Sequence, residues 1–160
     1  MINAERIKTS LEQSDFFWSD KEHIPLHWYE GAFHGNGRLG SSVYFDIIDD
    51  TVYIHVELCC NEVYDRRTDR GVWLLNQFDS PRLPVAHLLY ECSGNMIDFR
   101  MHTDIHRAVT DLYIKTDKES IKCNFYVCAK RQIIVIEQKA GDIKKWELVP
   151  AEAISPRQQY

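Results

Sequence analysis

A chain of 160 residues, 44% hydrophobic and 27% charged, has the length and composition of one globular domain with a core of its own. Its formal charge of −5 argues against a nucleic-acid partner, because phosphate binding needs concentrated positive charge. The five cysteines, Cys59, Cys60, Cys92, Cys123 and Cys128, are odd in number and form no Cys-x-x-Cys pair, so neither a disulfide framework nor a zinc knuckle is suggested.

Along the chain, Met1 to Leu11 carries Glu5, Arg6 and Lys8 and no long apolar run. It does not read as a secretory signal, and no later segment is apolar for long enough to cross a membrane. A cytoplasmic protein, or one whose leader has been removed, is the expectation. Ile7 and Leu11 lie four apart with charges between them, predicting a short amphipathic helix from Asn3 or Ala4 to Gln13. Ser14-Asp15 ends it, and Phe16-Phe17-Trp18 is expected to anchor this segment to a larger body. Residues 1–20 therefore read as a helical or irregular lead-in, and 21–160 as the main domain.

From Gly40 the hydrophobic period becomes two. Val43, Phe45 and Ile47 alternate with Ser42, Tyr44 and Asp46; after Asp49-Asp50, Val52, Ile54, Val56 and Leu58 alternate with Tyr53, His55 and Glu57. That is a β-hairpin with one buried and one wetter face. After the Ser80-to-Pro84 break, a strand over Val85–Glu91 is expected to pair with one over Met96–Thr103 through the turn Cys92-Ser93-Gly94-Asn95. Further strands are predicted over Ala108–Lys115, Ile121–Ala129, Ile133–Gln138 and Trp146–Val149, joined by turn-forming stretches around Asp117, Arg131 and Gly141. The pattern predicts an all-β fold, an antiparallel β-sandwich with a short N-terminal helix and no βαβ alternation. Cys59 and Cys60 would point to opposite faces of their strand, and the cysteines read as buried free thiols. Scattered basic pairs, Arg66-Arg67, Lys130-Arg131 and Lys144-Lys145, read as solvated surface.

Candidate chemistry concentrates in Pro25–Gly40, where Gly31, Gly35, Gly37 and Gly40 fall within ten residues. Trp28, Tyr29 and Phe33 could stack on the apolar face of a sugar ring, with Asn36 and Arg38 as hydrogen-bonding partners. The bland alternative is that Trp28 and Phe33 pack the loop onto the sandwich. Glycoside hydrolysis needs two carboxylates at a set separation, and the candidates Glu30, Asp46, Glu57, Glu62 and Asp65 show no pairing pattern. His102, Asp104 and His106 would share one face of a regular strand and could meet a divalent ion there, but the polar face of an edge strand running into a turn is the preferred reading, since histidine is common along this chain. No metal and no other cofactor is expected.

The string Trp28-x-Glu30-Gly31-x-x-x-Gly35-Asn36-Gly37-x-Leu39-Gly40 resembles the opening of the amino-terminal domain of glycoside hydrolase family 95, the α-L-fucosidase-like enzymes, and of related family 65-like enzymes. Asn61-Glu62-Val63-Tyr64-Asp65-Arg66-Arg67, Arg82-Leu83-Pro84-Val85 and Trp146 to Arg157 resemble later family segments in the same order. The first of these departs from the fucosidase form, which has an Asn-Glu-Asp start and a Trp-x-Gly further on, and this leaves the sugar open. The resemblance implies a β-sandwich of the super-sandwich type, whole or incomplete, as a partial N-terminal domain. It implies that catalysis resides in a following (α/α)6 barrel, so no catalytic residue is expected here. Trp28, Tyr29, Glu30, His34, Asn36 and Arg38 become candidates for substrate binding or for the rim of that barrel's pocket. The expected partners are that catalytic domain and a carbohydrate, with no nucleic acid and no membrane. A stand-alone carbohydrate-binding module, or a fragment that pairs with a second copy through an open sheet edge, are the alternatives.

Overall fold

A computed structural model describes residues 4–64 and 83–152. Asp65, Arg66-Arg67, the Ser80-Pro81-Arg82 break and the family-like segment from Ala153 to Arg157 lie outside the described residues. In chain order the elements are α1 (Ala4–Glu12), β1 (Phe16–Trp18), β2 (Ala32–Gly35), β3 (Leu39–Ile48), β4 (Thr51–Cys60), β5 (Ala86–Ser93), β6 (Met96–Asp104), β7 (Val109–Thr116), β8 (Ser120–Val127), β9 (Ile134–Ala140) and β10 (Trp146–Pro150). The strands form two antiparallel five-stranded sheets, ordered β1-β6-β7-β8-β9 and β10-β5-β4-β3-β2. This is the antiparallel β-sandwich that the period of two predicts, and α1 is the expected helix. No residue of that helix is buried.

The β3–β4 hairpin follows the predicted register. Val43 faces Val56 and Phe45 faces Ile54, all fully buried, and the chain reverses at Asp49, whose φ of 50° is the left-handed conformation that Asp tolerates. Ile47 is the exception to the alternation: next to the turn that closes the hairpin it is 47% exposed. The two inner faces meet in one core. Phe45, Ile54, Val56, Tyr90 and Cys92 come from one sheet, and Phe99, Met101, Leu112, Ile114, Ile121, Cys123 and Phe125 from the other. Phe45 and Phe99 meet edge to face across the interior at 5.2 Å.

One predicted pairing is wrong. β5 and β6 do not form a hairpin but belong to different sheets. Gly94, at φ 100°, carries the chain across the sandwich instead of back along it. Its N–H donates to the Asp50 carbonyl at 2.7 Å, and the Asn95 N–H donates to the Asp117 carboxylate at 2.9 Å, so the crossing is held at both sheets. The Thr116 hydroxyl closes it by donating to the Ser93 carbonyl at 2.6 Å. β5 pairs instead with β4 and with β10, where Trp146 lies opposite Tyr90.

Two short strands were not foreseen. β1 joins β6, with Phe17 stacked on His102 at 4.2 Å. Phe16 and Phe17 nevertheless remain 57% and 69% exposed, and of the expected anchor only Trp18 packs against the core. His102 Nε2 also contacts the Asp15 carboxylate at 2.9 Å. β6 ends at Asp104 and His106 lies in the turn that follows, so the regular strand face required to bring His102, Asp104 and His106 together stops two residues short.

The cysteines are unbridged, but only Cys92 and Cys123 are buried; Cys59, Cys60 and Cys128 are partly so. Burial pushes the Cys92 thiol up to about 11 and that of Cys123 to about 12, which keeps both protonated and unreactive.

Candidate functional site

The glycine-rich segment lies along the edge of the second sheet. Ile24 and Pro25 are buried, and the Pro25 carbonyl accepts from the Phe45 N–H at 2.9 Å, so the approach to the loop is fastened to β3. A turn closes when the Glu30 N–H donates to the His27 carbonyl at 2.9 Å. The Ser42 hydroxyl donates to the Trp28 carbonyl at 2.6 Å and pins the turn from beneath. Gly31 is required because a β-carbon there would run into the Val43 carbonyl oxygen. The chain then enters β2 as the edge strand beside β3.

This fastening acts on the backbone and leaves the aromatic rings outside. Trp28 and Tyr29 are each 58% exposed and Phe33 is 56% exposed. Trp28 sets its edge against both neighbours, 5.8 Å from Tyr29 and 6.5 Å from Phe33. The loop is thus packed onto the sandwich through its backbone and through Ile24 and Pro25, not through Trp28 and Phe33.

His34 alternates to the inner face. Its Nε2 lies 2.7 Å from the Thr110 hydroxyl and its Nδ1 3.3 Å from the Ser41 hydroxyl, and Thr110 continues the chain to Thr103 at 2.7 Å. Burial holds the imidazole down at about 4, so it is neutral at physiological pH and bridges the sheets as a hydrogen-bonding group. Asn36 is a clasp. Its carbonyl oxygen accepts from the Arg38 and Leu39 N–H groups at 3.0 and 2.9 Å, and its amide donates to the Cys128 and Arg131 carbonyls at 2.9 and 3.1 Å. The β2–β3 turn is thereby tied to the β8–β9 turn. Arg38 is exposed and lines a shallow depression with Asn36 and residues 129–132, at the other end of β2 from Trp28.

The structure therefore brings Trp28, Tyr29, Glu30 and Phe33 together, places His34 beneath them and puts Asn36 and Arg38 elsewhere. Two grooves flank Phe33. One, of about 490 Å³, runs between Phe16, Trp18, Tyr29 and Phe33, with Thr103, Ile105 and Ala108 on its far side. The other, of about 450 Å³, lies on the outer face of the sheet between Trp28, Phe33, Glu57, Cys59, Leu83 and Pro84.

That outer face carries a group of side chains that the strand alternation marks only as wetter. The Tyr44 hydroxyl donates to Glu57 at 3.4 Å, and the Tyr44 ring stacks on His55 at 4.9 Å. His55 Nε2 stands 3.1 Å from an Asp46 carboxylate oxygen, and its ring lies 5.7 Å from that of His87. Burial raises the Glu57 carboxyl above its ordinary value and pushes Tyr44 up to about 12; it lowers His55 despite the nearby Asp46. The pairing of Tyr44 with His55 and of Ser42 with Glu57 follows from the Asp49-Asp50 turn, since a two-residue connection fixes which positions lie opposite. His87 arrives from beyond a long connection and had no such signal. Among the other candidate carboxylates, Glu30 and Glu62 are exposed.

No protein-family model matches the chain, and no curated protein matches its sequence.

Proposed function

We propose that this chain is a non-catalytic β-sandwich module of a carbohydrate-active glycoside hydrolase, supporting and docking against an (α/α)6 catalytic domain. The observation that carries the reading is the cluster of outward aromatic rings at the glycine-rich loop. Trp28, Tyr29 and Phe33, with Phe16 across the first groove, stay more than half exposed on a loop whose backbone is firmly fastened. Rings displayed together in this way are typical of an interaction surface. Trp28, Tyr29 and Phe33 lie in the stretch whose residues resemble the family 95 opening, and that resemblance supplies the class of partner. Glu30 and the aromatic rings would form the rim of the partner's pocket.

A second reading, a stand-alone carbohydrate-binding module, draws on the same rings, because Trp28 and Tyr29 offer faces on which a pyranose could stack. Two measurements separate the readings. The purified chain is expected to release no chromophore from an aryl α-L-fucoside, and turnover by it would sink both. In titration calorimetry with a panel of mono- and oligosaccharides, the docking module gives no heat. Saturable heat that disappears in Trp28→Ala would replace the first reading by the second.

A further inference from the structure

The groove on the outer face of the second sheet is built by register. Phe33 lies opposite Ser42, Ser42 opposite Glu57 and Glu57 opposite His87, so one row crosses β2, β3, β4 and β5 with an aromatic ring at one side and a carboxylate further along. The next row is nearly empty: Gly35 lies opposite Gly40, and Gly40 opposite Cys59. A β-carbon on Gly40 would come within 2.8 Å of Cys59 Sγ, so glycine is what leaves the floor open. Trp28 rises beside Phe33, and Leu83 and Pro84 add further apolar wall. At about 450 Å³ the space suits a small molecule or a single ring with a short chain.

The chemistry of the lining is one-sided. The Ser42 hydroxyl donates to the Trp28 carbonyl, the Ser41 hydroxyl meets His34, and both His34 nitrogens already have partners. Among the described lining residues the side-chain hydroxyls and the imidazole are already engaged and the exposed Trp28 brings an indole N–H, whereas the Glu57 carboxylate remains an acceptor. Its hydrogen bond from Tyr44 is long, 3.4 Å, no lysine or arginine among the described residues pairs with it, and the basic neighbour that favours its charged form is His87 on the next strand. A sugar needs several donors for its ring and hydroxyl oxygens and would find few here; a ligand that brings donors and positive charge on an apolar body meets the carboxylate and the aromatic walls. Aromatic faces attract such a charge in addition to the carboxylate, and the net charge of −5 favours its approach.

We propose that the groove between Phe33 and Glu57 binds a small organic cation, an ammonium group carried on an apolar, ring-sized body. The ammonium sits at Glu57 and the body lies against Trp28, Phe33, Leu83 and Pro84. This site shares Trp28 and Phe33 with the docking surface proposed above, but its argument rests on Glu57 and the open row at Gly40 and does not need that reading.

The test uses the whole chain, labelled for amide NMR, titrated with 2-phenylethylammonium and with its neutral counterpart 2-phenylethanol. Saturable shifts are expected at the Trp28 indole and at the Gly40 and Cys59 amides, with the amine at least about ten-fold tighter than the alcohol. Added salt should weaken the amine and leave the alcohol unchanged. Glu57→Gln should bring the amine down to the affinity of the alcohol, and Trp28→Ala should weaken both. The salt comparison needs no variant, so a misfolded Glu57→Gln would not rescue the idea. Equal affinity for amine and alcohol, indifference of the amine to salt, or no saturation below about 10 mM overturns it.

Discussion

His34 occupies the inner side of an edge strand, where its ring spans from Ser41 to Thr110 and has little contact with water. Unfolded, the imidazole titrates near 6.5; folded, near 4. The unfolded chain therefore binds the extra proton first, and the stability that neutral His34 provides is fully present above pH 6.5 and drains away as pH falls towards 4. At 1.36 kcal/mol per unit the loss approaches about 3 kcal/mol. His34→Gln keeps a hydrogen-bonding group without a titrating one. Urea midpoints between pH 7.5 and 4 should fall more steeply for the wild type than for this variant, and parallel curves would show that His34 is not the acid-sensitive group. The glycine-rich segment announced His34, Asn36 and Arg38 as polar groups near aromatic rings, and that much could be read from composition. That His34 and Asn36 turn inwards to protein partners could not, because both partners sit on the opposite sheet: Thr110, and the turn that contains Arg131.

At the level of elements, alternation revealed the β3–β4 hairpin almost to the residue, since an apolar residue at every second position has only one face to bury. The chain crossing between β5 and β6 was unreadable for a physical reason. A Gly-Asn pair between two apolar runs is as good a hairpin turn as a crossing, and the choice is made by distant groups, Asp50 and Asp117, that take up the backbone N–H groups. β1 and β2, three and four residues long, are too short to show a period. Gly94 is where the crossing is most exposed to a change of sequence. With φ at 100° any side chain is strained, and a β-carbon would also meet the Asp117 carboxylate and the Thr116 hydroxyl. Gly94→Ala is expected to cost about 2 kcal/mol or more in chemical denaturation. Gly37 at φ 86° has nothing within 4 Å of its would-be β-carbon, so Gly37→Asn should cost well under half as much. Equal losses at the two positions would mean that backbone strain alone, without the crossing contacts, sets the cost.

For the whole molecule the decisive contrast is between aromatic rings inside and outside the sandwich. Phe45 and Phe99 close the core from opposite sheets, each at most 1% exposed, and removing such a ring loses its burial and leaves a cavity, about 3–5 kcal/mol for Phe→Ala. Trp28 and Phe33 are just as large yet more than half exposed, and their mutual edge-to-face contact is worth only about 1 kcal/mol. If these outer rings serve the fold, their loss should resemble that of Phe45. If they serve binding, the fold should scarcely register it. Phe45→Ala is therefore expected to lower the unfolding free energy by about 3–5 kcal/mol, and Trp28→Ala or Phe33→Ala by about 1 kcal/mol or less, all measured by urea denaturation with the same slope. A loss of core size in Trp28→Ala would mean that the ring holds the loop in place, and the case for an interaction surface at this edge of the sandwich would fall with it.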